Sequence, residues 1–458
     1  MPPKKTTARA KAQPAKKAAR AATTPTPPAS VSVSTAAGRT PEEVNTGDER
    51  LRALIHMYNE KGTPLIVTAN DAPNPYQLKR PTGIMEVDLI LGGGFPAGTC
   101  SLVSGPDCSG KSHLIFKTMA MQQRLYGNSC RLAFATVEGG FPFDQALNAG
   151  LKVSVPDDIL EQWQEWRRLR NISPFTPEQL LFFKQQIGEV YVLRGATGED
   201  ILQGMLNIIK TNACSIVACD SINALMPQVD SIKDLDQNSM RAAHANMITK
   251  FFNHYTPITT GYELVTVPDP VEETKMIEVL AKLRDMNKTT VLFTQQVRSN
   301  QERANAPAHM QAYIKPWTIS GGYAAKHFKA IDLVVEDMAP IKRGEKEGRE
   351  TIGKRVAFYT EKGKHGTHDN LRCESSYYYA LNDYDTIGEL ITSGIKRGLI
   401  RTHGNKIVVV QAGTNNVIDA FTSTTQKMLR QIIEVDFDLE LALRREILAS
   451  AGKQCLYQ

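Results

Sequence analysis

None of the chain's seven cysteines forms a C-x-x-C pair, which removes the spacing of a thioredoxin-like redox site and of the common zinc sites. Reduced thiols fit that pattern better than a disulfide framework. No apolar run approaches the length needed to cross a bilayer. The first residues lack the apolar stretch of a secretory signal, so the sequence reads as cytosolic, with no membrane partner. Acid is missing altogether from residues 1–41, which carry Lys4, Lys5, Arg9, Lys11, Lys16, Lys17, Arg20 and Arg39. The formal net charge is +6, yet outside that segment 46 basic residues face 48 acidic ones. The basic character therefore belongs to an Ala-, Pro-, Thr- and Lys-rich arm that cannot bury a core. Such arms bind polyanions with little sequence preference; a solubilising tail or a processed leader are the alternatives.

The full chain of 458 residues is long enough for two or three domains and, at 41% hydrophobic residues, has the composition of a soluble globular protein. Within residues 42–80, "DERLRALIHMYNEKG" spaces Leu51, Leu54, Ile55 and Tyr58 as a helix, and "TPLIVTA" reads as a strand. Residues 81–380 alternate β-rich runs ("CSLVSG", "RLAFATVE", "EVYVLRG", "CSIVACDS", "TTVLFTQQ", "AIDLVVED") with helical ones. That alternation predicts an α/β core around a mostly parallel central sheet, with ligands beyond the carboxyl ends of its strands. Two stretches break the rhythm and read as insertions: 156–187, helical and carrying Trp163 and Trp166, and 256–271, rich in Pro and Thr. A charged turn, "PIKRGEKEGRETIG", separates two later strands. Residues 381–458 show helix, strand and helix patterns and read as a small α/β C-terminal domain.

The chemistry starts at "GPDCSGKS", which fits G-x-x-x-x-G-K-[ST] from Gly105 through Pro106, Asp107, Cys108, Ser109, Gly110 and Lys111 to Ser112. Glycines let successive backbone N–H groups turn onto a phosphate, Lys111 adds a point charge at the β/γ oxygens, and Ser112 offers an oxygen to Mg²⁺. A strand precedes the loop and "SHLIFKTMAMQQRLYG" after it reads as a helix, which sets the phosphate at a helix N-terminus and adds His113 to the nucleotide-binding candidates. Asp220 ends the apolar strand "SIVACDS" where a carboxylate can hold the Mg²⁺ shell through water. Glu138 ends "LAFATVE" where a carboxylate can deprotonate an attacking water. Gln295 and Gln296 end "VLFTQQ", and a neutral amide there can sense a γ-phosphate. From Arg298 to Gly322 runs a long loop in which Arg298, Arg303 and Lys315 interleave with Tyr313 and Trp317. Cations among aromatics suit a nucleic-acid backbone and its bases; a mobile lid is the alternative.

These pieces, in this order, resemble the RecA family of homologous-recombination ATPases. The resemblance rests on "RPTGIMEVDLILGGGFPAGTCSLVSGPDCSGKS", "FATVEGG", "VACDSINALMP", "FTQQVR" with "SGGYAAKHF", and "ETIGKRVAFYTEKGK" with "IGELITSGIKRGLI", from about residue 48 to 450. It implies a RecA-type P-loop NTPase core, an N-terminal helix–strand oligomerisation segment, and a DNA-dependent ATPase that uses ATP and Mg²⁺. Lys111, Ser112 and Asp220 would take the phosphate and Mg²⁺ roles, Glu138 would activate water, and Gln296 would be the γ-phosphate sensor. Lys362 and Lys364 match a K-x-K pair that reaches a neighbour's γ-phosphate. Gly321 and Gly322 close the second DNA loop, Lys326 matches a lysine just after it, and the first DNA loop falls near Gln228–Met240. Where the family has an Asp and a Tyr holding adenine, this chain has Pro142 and Gln145, so base recognition differs. The insertions and length favour a phage-type member, similar to UvsX-like recombinases. The implied partners are single- and double-stranded DNA, further copies of the chain in a helical filament, and single-strand-binding and loader proteins. A ring-forming, DnaB-like helicase and a nucleotide-gated scaffold are the other readings.

Deleting residues 1–41 should leave ATP turnover on saturating single-stranded DNA nearly intact while weakening duplex capture. The slope of log affinity against log salt should flatten, because eight bases no longer release counterions. Affinity measured across a salt series checks this, and an unchanged slope supports the solubilising tail.

Overall fold

The computed structural model describes residues 78–137, 139–231, 241–259, 262–268, 276–282, 288–300, 305–311, 317–319, 327–344, 350–414, 416–423 and 425–453. The basic arm and the helix and strand expected before residue 78 lie outside the described residues. The first described elements are a short antiparallel clip, β1 (Lys79–Arg80) on β2 (Phe95–Pro96).

Strands β3 (Cys100–Gly105), β4 (Arg131–Thr136), β5 (Glu189–Leu193), β6 (Ile216–Asp220), β9 (Thr290–Ser299) and β11 (Ile331–Arg343) are the β-rich runs expected from sequence. They pair parallel in the order β11-β3-β9-β6-β4-β5. On the far side β12 (Glu350–Lys362), β13 (Arg372–Tyr378) and β14 (Asp383–Tyr384) add antiparallel. With β10 (Trp317–Ile319) paired to β9, ten strands among the described residues form one mixed, mostly parallel sheet. Apart from this sheet, β7 (Tyr262–Pro268) and β8 (Met276–Lys282) form an antiparallel pair of their own.

Apolar runs such as Leu102–Val103 and Val217–Ala218 need cover on both faces, as parallel strands do. They receive it. Val103, Ala218 and Leu292 join a core with Leu114, Ile115 and Phe116 of the helix Lys111–Tyr126. Their neighbours Leu102, Val217 and Phe293 point the other way, into a core with Ile201, Met205 and Ile209 of the helix Gly198–Thr211. That helix opens on a capping box between Thr197 and Asp200 and closes at Asn212, whose left-handed backbone stops it.

One stretch departs from the sequence reading. The charged "PIKRGEKEGRETIG" is mostly strand: β11 runs to Arg343 and β12 begins at Glu350, with Ile341 paired to Gly353. Pro340 sits at a register shift in that ribbon, where its missing N–H is tolerated. Residues 256–271, read as an insertion, hold the end of the helix Arg241–Thr259 and all of β7.

The C-terminal residues form the helix Thr386–Lys396, an antiparallel sheet of β15 (Ile400–His403), β16 (Lys406–Val410) and β17 (Val417–Ser423), and the helices Gln426–Val435 and Phe437–Ser450. Only β16 was visible as a strand in sequence. These elements share one apolar cluster with Met85, Leu89 and Met121, side chains supplied by the chain around the phosphate loop. Buried Arg444 anchors the joint, donating to Glu440 at 2.9 Å and to the Gly83 carbonyl at 2.8 Å, with Asp88 at 3.7 Å. Burial pushes the Asp88 carboxyl up to about 6, against the pull of Arg444 and Thr82.

Glu389 is the clearest titratable group at this joint. It accepts from the Glu86 N–H at 2.7 Å and from the Ser375 hydroxyl. Burial nevertheless pushes its carboxyl up to about 7. Between the ordinary carboxylate value and that figure the folded chain keeps a proton the unfolded chain has lost, so the group's contribution to stability falls as pH rises through about 7. Glu389→Gln, which preserves both bonding partners, should therefore melt a few degrees above wild type near pH 8 and no higher near pH 4. Thermal melts at the two pH values check it.

Candidate phosphate-loop site

The phosphate loop bridges the end of β3 and the start of the helix Lys111–Tyr126. Gly105 must be glycine, because a Cβ there would lie 2.3 Å from the Val335 carbonyl oxygen of β11. The loop turns through left-handed backbone at Cys108 (φ 58°) and Gly110 (φ 97°). Gly110 caps the helix without a side-chain hydrogen bond, as suits a helix N-terminus that receives an anion. Ser109 Oγ is buried with no hydrogen-bond partner among the described residues. Lys111 Nζ donates across the loop to the Pro106 carbonyl at 2.5 Å.

Parallel register brings the rest of the site to the same edge. Gly105 lies level with Gln296 of β9. Gln296 Nε2 donates to Asp107 Oδ1 of the phosphate loop, and its backbone N–H donates to Asn223 Oδ1 at 3.1 Å. Asp220 closes β6, where Thr294 Oγ1 donates to its Oδ1 at 2.5 Å. The neighbouring β4 ends at Thr136, which lies level with Asp220 and donates to the Gly139 carbonyl at 2.9 Å. Glu138 itself lies outside the described residues.

Sequence reasoning missed three groups here, and each partner is remote in the chain. Asn223 and Thr294 position Gln296 and Asp220. Lys354 of β12 donates to the Cys108 carbonyl at 3.2 Å and to Asp337 at 2.8 Å, clamping the loop from the side. No local motif marks Lys354; only the length of the β11–β12 ribbon carries it there. Behind the loop, His113 Nε2 lies 2.9 Å from Asp383 Oδ1, and Lys117 engages the other oxygen. Burial opposes ionisation of Asp383, but His113 and Lys117 hold its carboxyl below the ordinary range.

The remaining candidates fall elsewhere. Lys362 pairs with Asp332, which lies level with Leu102, three positions short of Gly105. That is roughly 10 Å back along the sheet from the loop. Its ammonium donates to the His327 carbonyl at 3.2 Å, and burial and then Lys364 lower its proton affinity. Pro142 caps the helix Phe143–Asn148, which contains Gln145. β9 does not end at Gln296 but continues to Ser299, and Thr318 pairs with Arg298. The base of the expected long loop is thus a β-hairpin, with Arg298 and Trp317 in its two strands. Arg303, Tyr313, Lys315, Gly321, Gly322 and Lys326 lie outside the described residues. Of the first expected DNA loop, Gln228–Ser231 is a short helix and residues 232–240 lie outside.

A glycine cradle, a helix N-terminus without a side-chain cap, a buried unpartnered hydroxyl and a loop lysine suit a polyphosphate. One hydroxyl and one carboxylate, Ser112 and Asp220, suit Mg²⁺, which keeps most of its waters. Among the described residues no cluster of three His, Cys, Asp or Glu could hold a metal by itself.

No protein-family model matches the chain. Curated relatives do. RecA of Acidothermus cellulolyticus is 24% identical over 365 residues, covering 78% of this chain and 81% of its own. RecA of Chloroflexus aurantiacus is 24% identical over 368 residues, covering 80% and 82%. A plasmid RecA of Lactococcus lactis is 21% identical over 317 residues, covering 69% and 70%. A crystal structure of the RadB recombinase aligns with 67% of this chain and 98% of its own at 13% identity and a TM-score of 0.36. Fold and loop define a phosphate-loop α/β protein. Within that class, the chain is similar to RecA proteins over 69–80% of its length.

Proposed function

We propose that the chain is an ATP-driven recombinase that assembles on single-stranded DNA and exchanges strands with a homologous duplex. The observation that carries this reading is Gln296. Its side chain touches the phosphate loop, while its backbone enters the β9–β10 hairpin two residues before Arg298. A γ-phosphate arriving beside Asp107 competes for that amide, so nucleotide state and hairpin position are linked through one strand.

In this reading Lys111 and the helix N-terminus hold the phosphates, and Ser112 and Asp220 hold Mg²⁺. The bound ion supplies neutralisation of charge on the phosphate oxygens. Glu138 accepts a proton from the attacking water. Arg298, Arg303, Lys315, Trp317, Gly321, Gly322 and Lys326 belong to the DNA-contacting segment. Lys362 and Lys364 lie too far back along the sheet to serve their own loop, which supports a role at a neighbour's nucleotide. Among the described residues β5 is a sheet edge with exposed Tyr191 and Val192, and it suits addition of a strand from another copy, for which "TPLIVTA" is the candidate. The insertions favour a UvsX-like member of the family.

Subunit mixing tests the shared site. Lys111→Ala and the double variant Lys362→Ala/Lys364→Ala should each be nearly inactive alone. Mixed equally in a head-to-tail assembly, they should recover about a quarter of wild-type turnover, because one interface in four combines an intact loop with intact lysines. Electron microscopy with single-stranded DNA and a non-hydrolysable ATP analogue should show filaments. Rings, or mixtures as inactive as their components, contradict the proposal.

A further inference from the structure

The crossover from β4 to β5 carries a feature that the phosphate-loop chemistry does not use. Its helix Asp157–Leu169 enters the core through Leu160, with Ile159 and Trp163 packed beside it. The same apolar stripe continues one turn further, past the edge of the body. Trp166 is left 51% exposed and Leu169 74% exposed. Around them the chain runs from Trp166 to Pro177 without an acid. The Arg170 guanidinium stacks 4.1 Å from the centre of the Trp166 ring. Arg167 lies 4.6 Å over Phe175 and donates to the Ser173 carbonyl at 2.6 Å, which fixes the turn after the helix. Arg168 is engaged by Glu165, so the charge facing outward at the tip is that of Arg167 and Arg170.

An indole backed by a guanidinium presents a flat face and a phosphate-binding fork together. We propose that this tip is a second contact surface for single-stranded nucleic acid, where an unpaired base stacks on Trp166 and Arg170 holds an adjacent phosphate. Duplex DNA keeps its base faces stacked and offers nothing to the indole. A protein partner would favour an open apolar patch, whereas here the Arg170 guanidinium covers one face of Trp166. The proposal rests on the single-strand-binding reading above and adds a site remote in sequence from the β9–β10 hairpin.

The test uses the full chain without nucleotide and a fluorescent oligo-dT, with binding followed by anisotropy across a salt series. Trp166→Ala should weaken binding ~10-fold, while Trp166→Phe, which keeps a stacking face, should retain most of it. Arg170→Ala should make the salt slope shallower by about 0.7, the share of one single-strand phosphate contact. Oligonucleotides carrying 5-iododeoxyuridine should crosslink to Trp166. Wild-type affinity and slope in both alanine variants, with no crosslink at Trp166, overturn this proposal while leaving the recombinase reading intact. So does unchanged DNA binding accompanied by a shift in sedimentation of the free protein or by loss of binding to an acidic peptide, since the surface then meets protein. A wild-type chain that binds no oligo-dT without nucleotide overturns this proposal, and one that also binds none with a non-hydrolysable ATP analogue overturns both readings.

Discussion

The contact from Gln296 to Asp107 is possible only because β3 and β9 are parallel neighbours in one register, with Gly105 level with Gln296. That register is the constraint on which the rest of the site depends. It sets Asp220 one strand further along, held by Thr294, and it aims the hairpin that begins at Val297 away from the same edge. A slip of two residues in β9 would keep every side chain on its proper face and still separate the amide from the loop. Burial excludes a slip of one residue, because Val291 and Phe293 fill one core while Leu292 fills the other.

The loop is also braced from outside the parallel strands. Lys354 ties it to the β11–β12 ribbon, and Gly105 closes against Val335 of the same ribbon. Further back, Arg444 binds the last helix to Gly83 and lies near Asp88, just ahead of the chain that leads into β3. Breaking such a buried pair by removing one partner typically costs about 3–5 kcal/mol. The C-terminal elements therefore brace the segment that feeds the phosphate loop through a buried charge cluster, with an apolar cluster on the same side of the helix Met85–Ile90.

Much of the fold was legible in the sequence because buried parallel strands are continuous apolar runs, and all six expected runs are in the sheet. The phosphate loop was legible for a different reason, since its glycines and lysine act locally. What escaped reading depends on pairing between remote segments. "PIKRGEKEGRETIG" is charged and turn-like in isolation, yet it is a ribbon because each half finds its ladder partner in the other. Trp317–Ile319 looked like loop because its partner, Val297–Ser299, lies across a long intervening segment. Asn223, Thr294 and Lys354 carry no motif at all. Their roles come from side-chain bonds spanning 73, 74 and 246 residues.

The central claim is that nucleotide state and DNA grip are coupled through Gln296. In the wild type, affinity for single-stranded DNA should be clearly higher with a non-hydrolysable ATP analogue than with ADP. In Gln296→Ala both nucleotides should still bind, because the loop glycines, Lys111 and Asp220 are untouched, but the two DNA affinities should become equal. Linkage requires that DNA then also stop distinguishing the two nucleotides. A variant that keeps the wild-type affinity ratio contradicts the account.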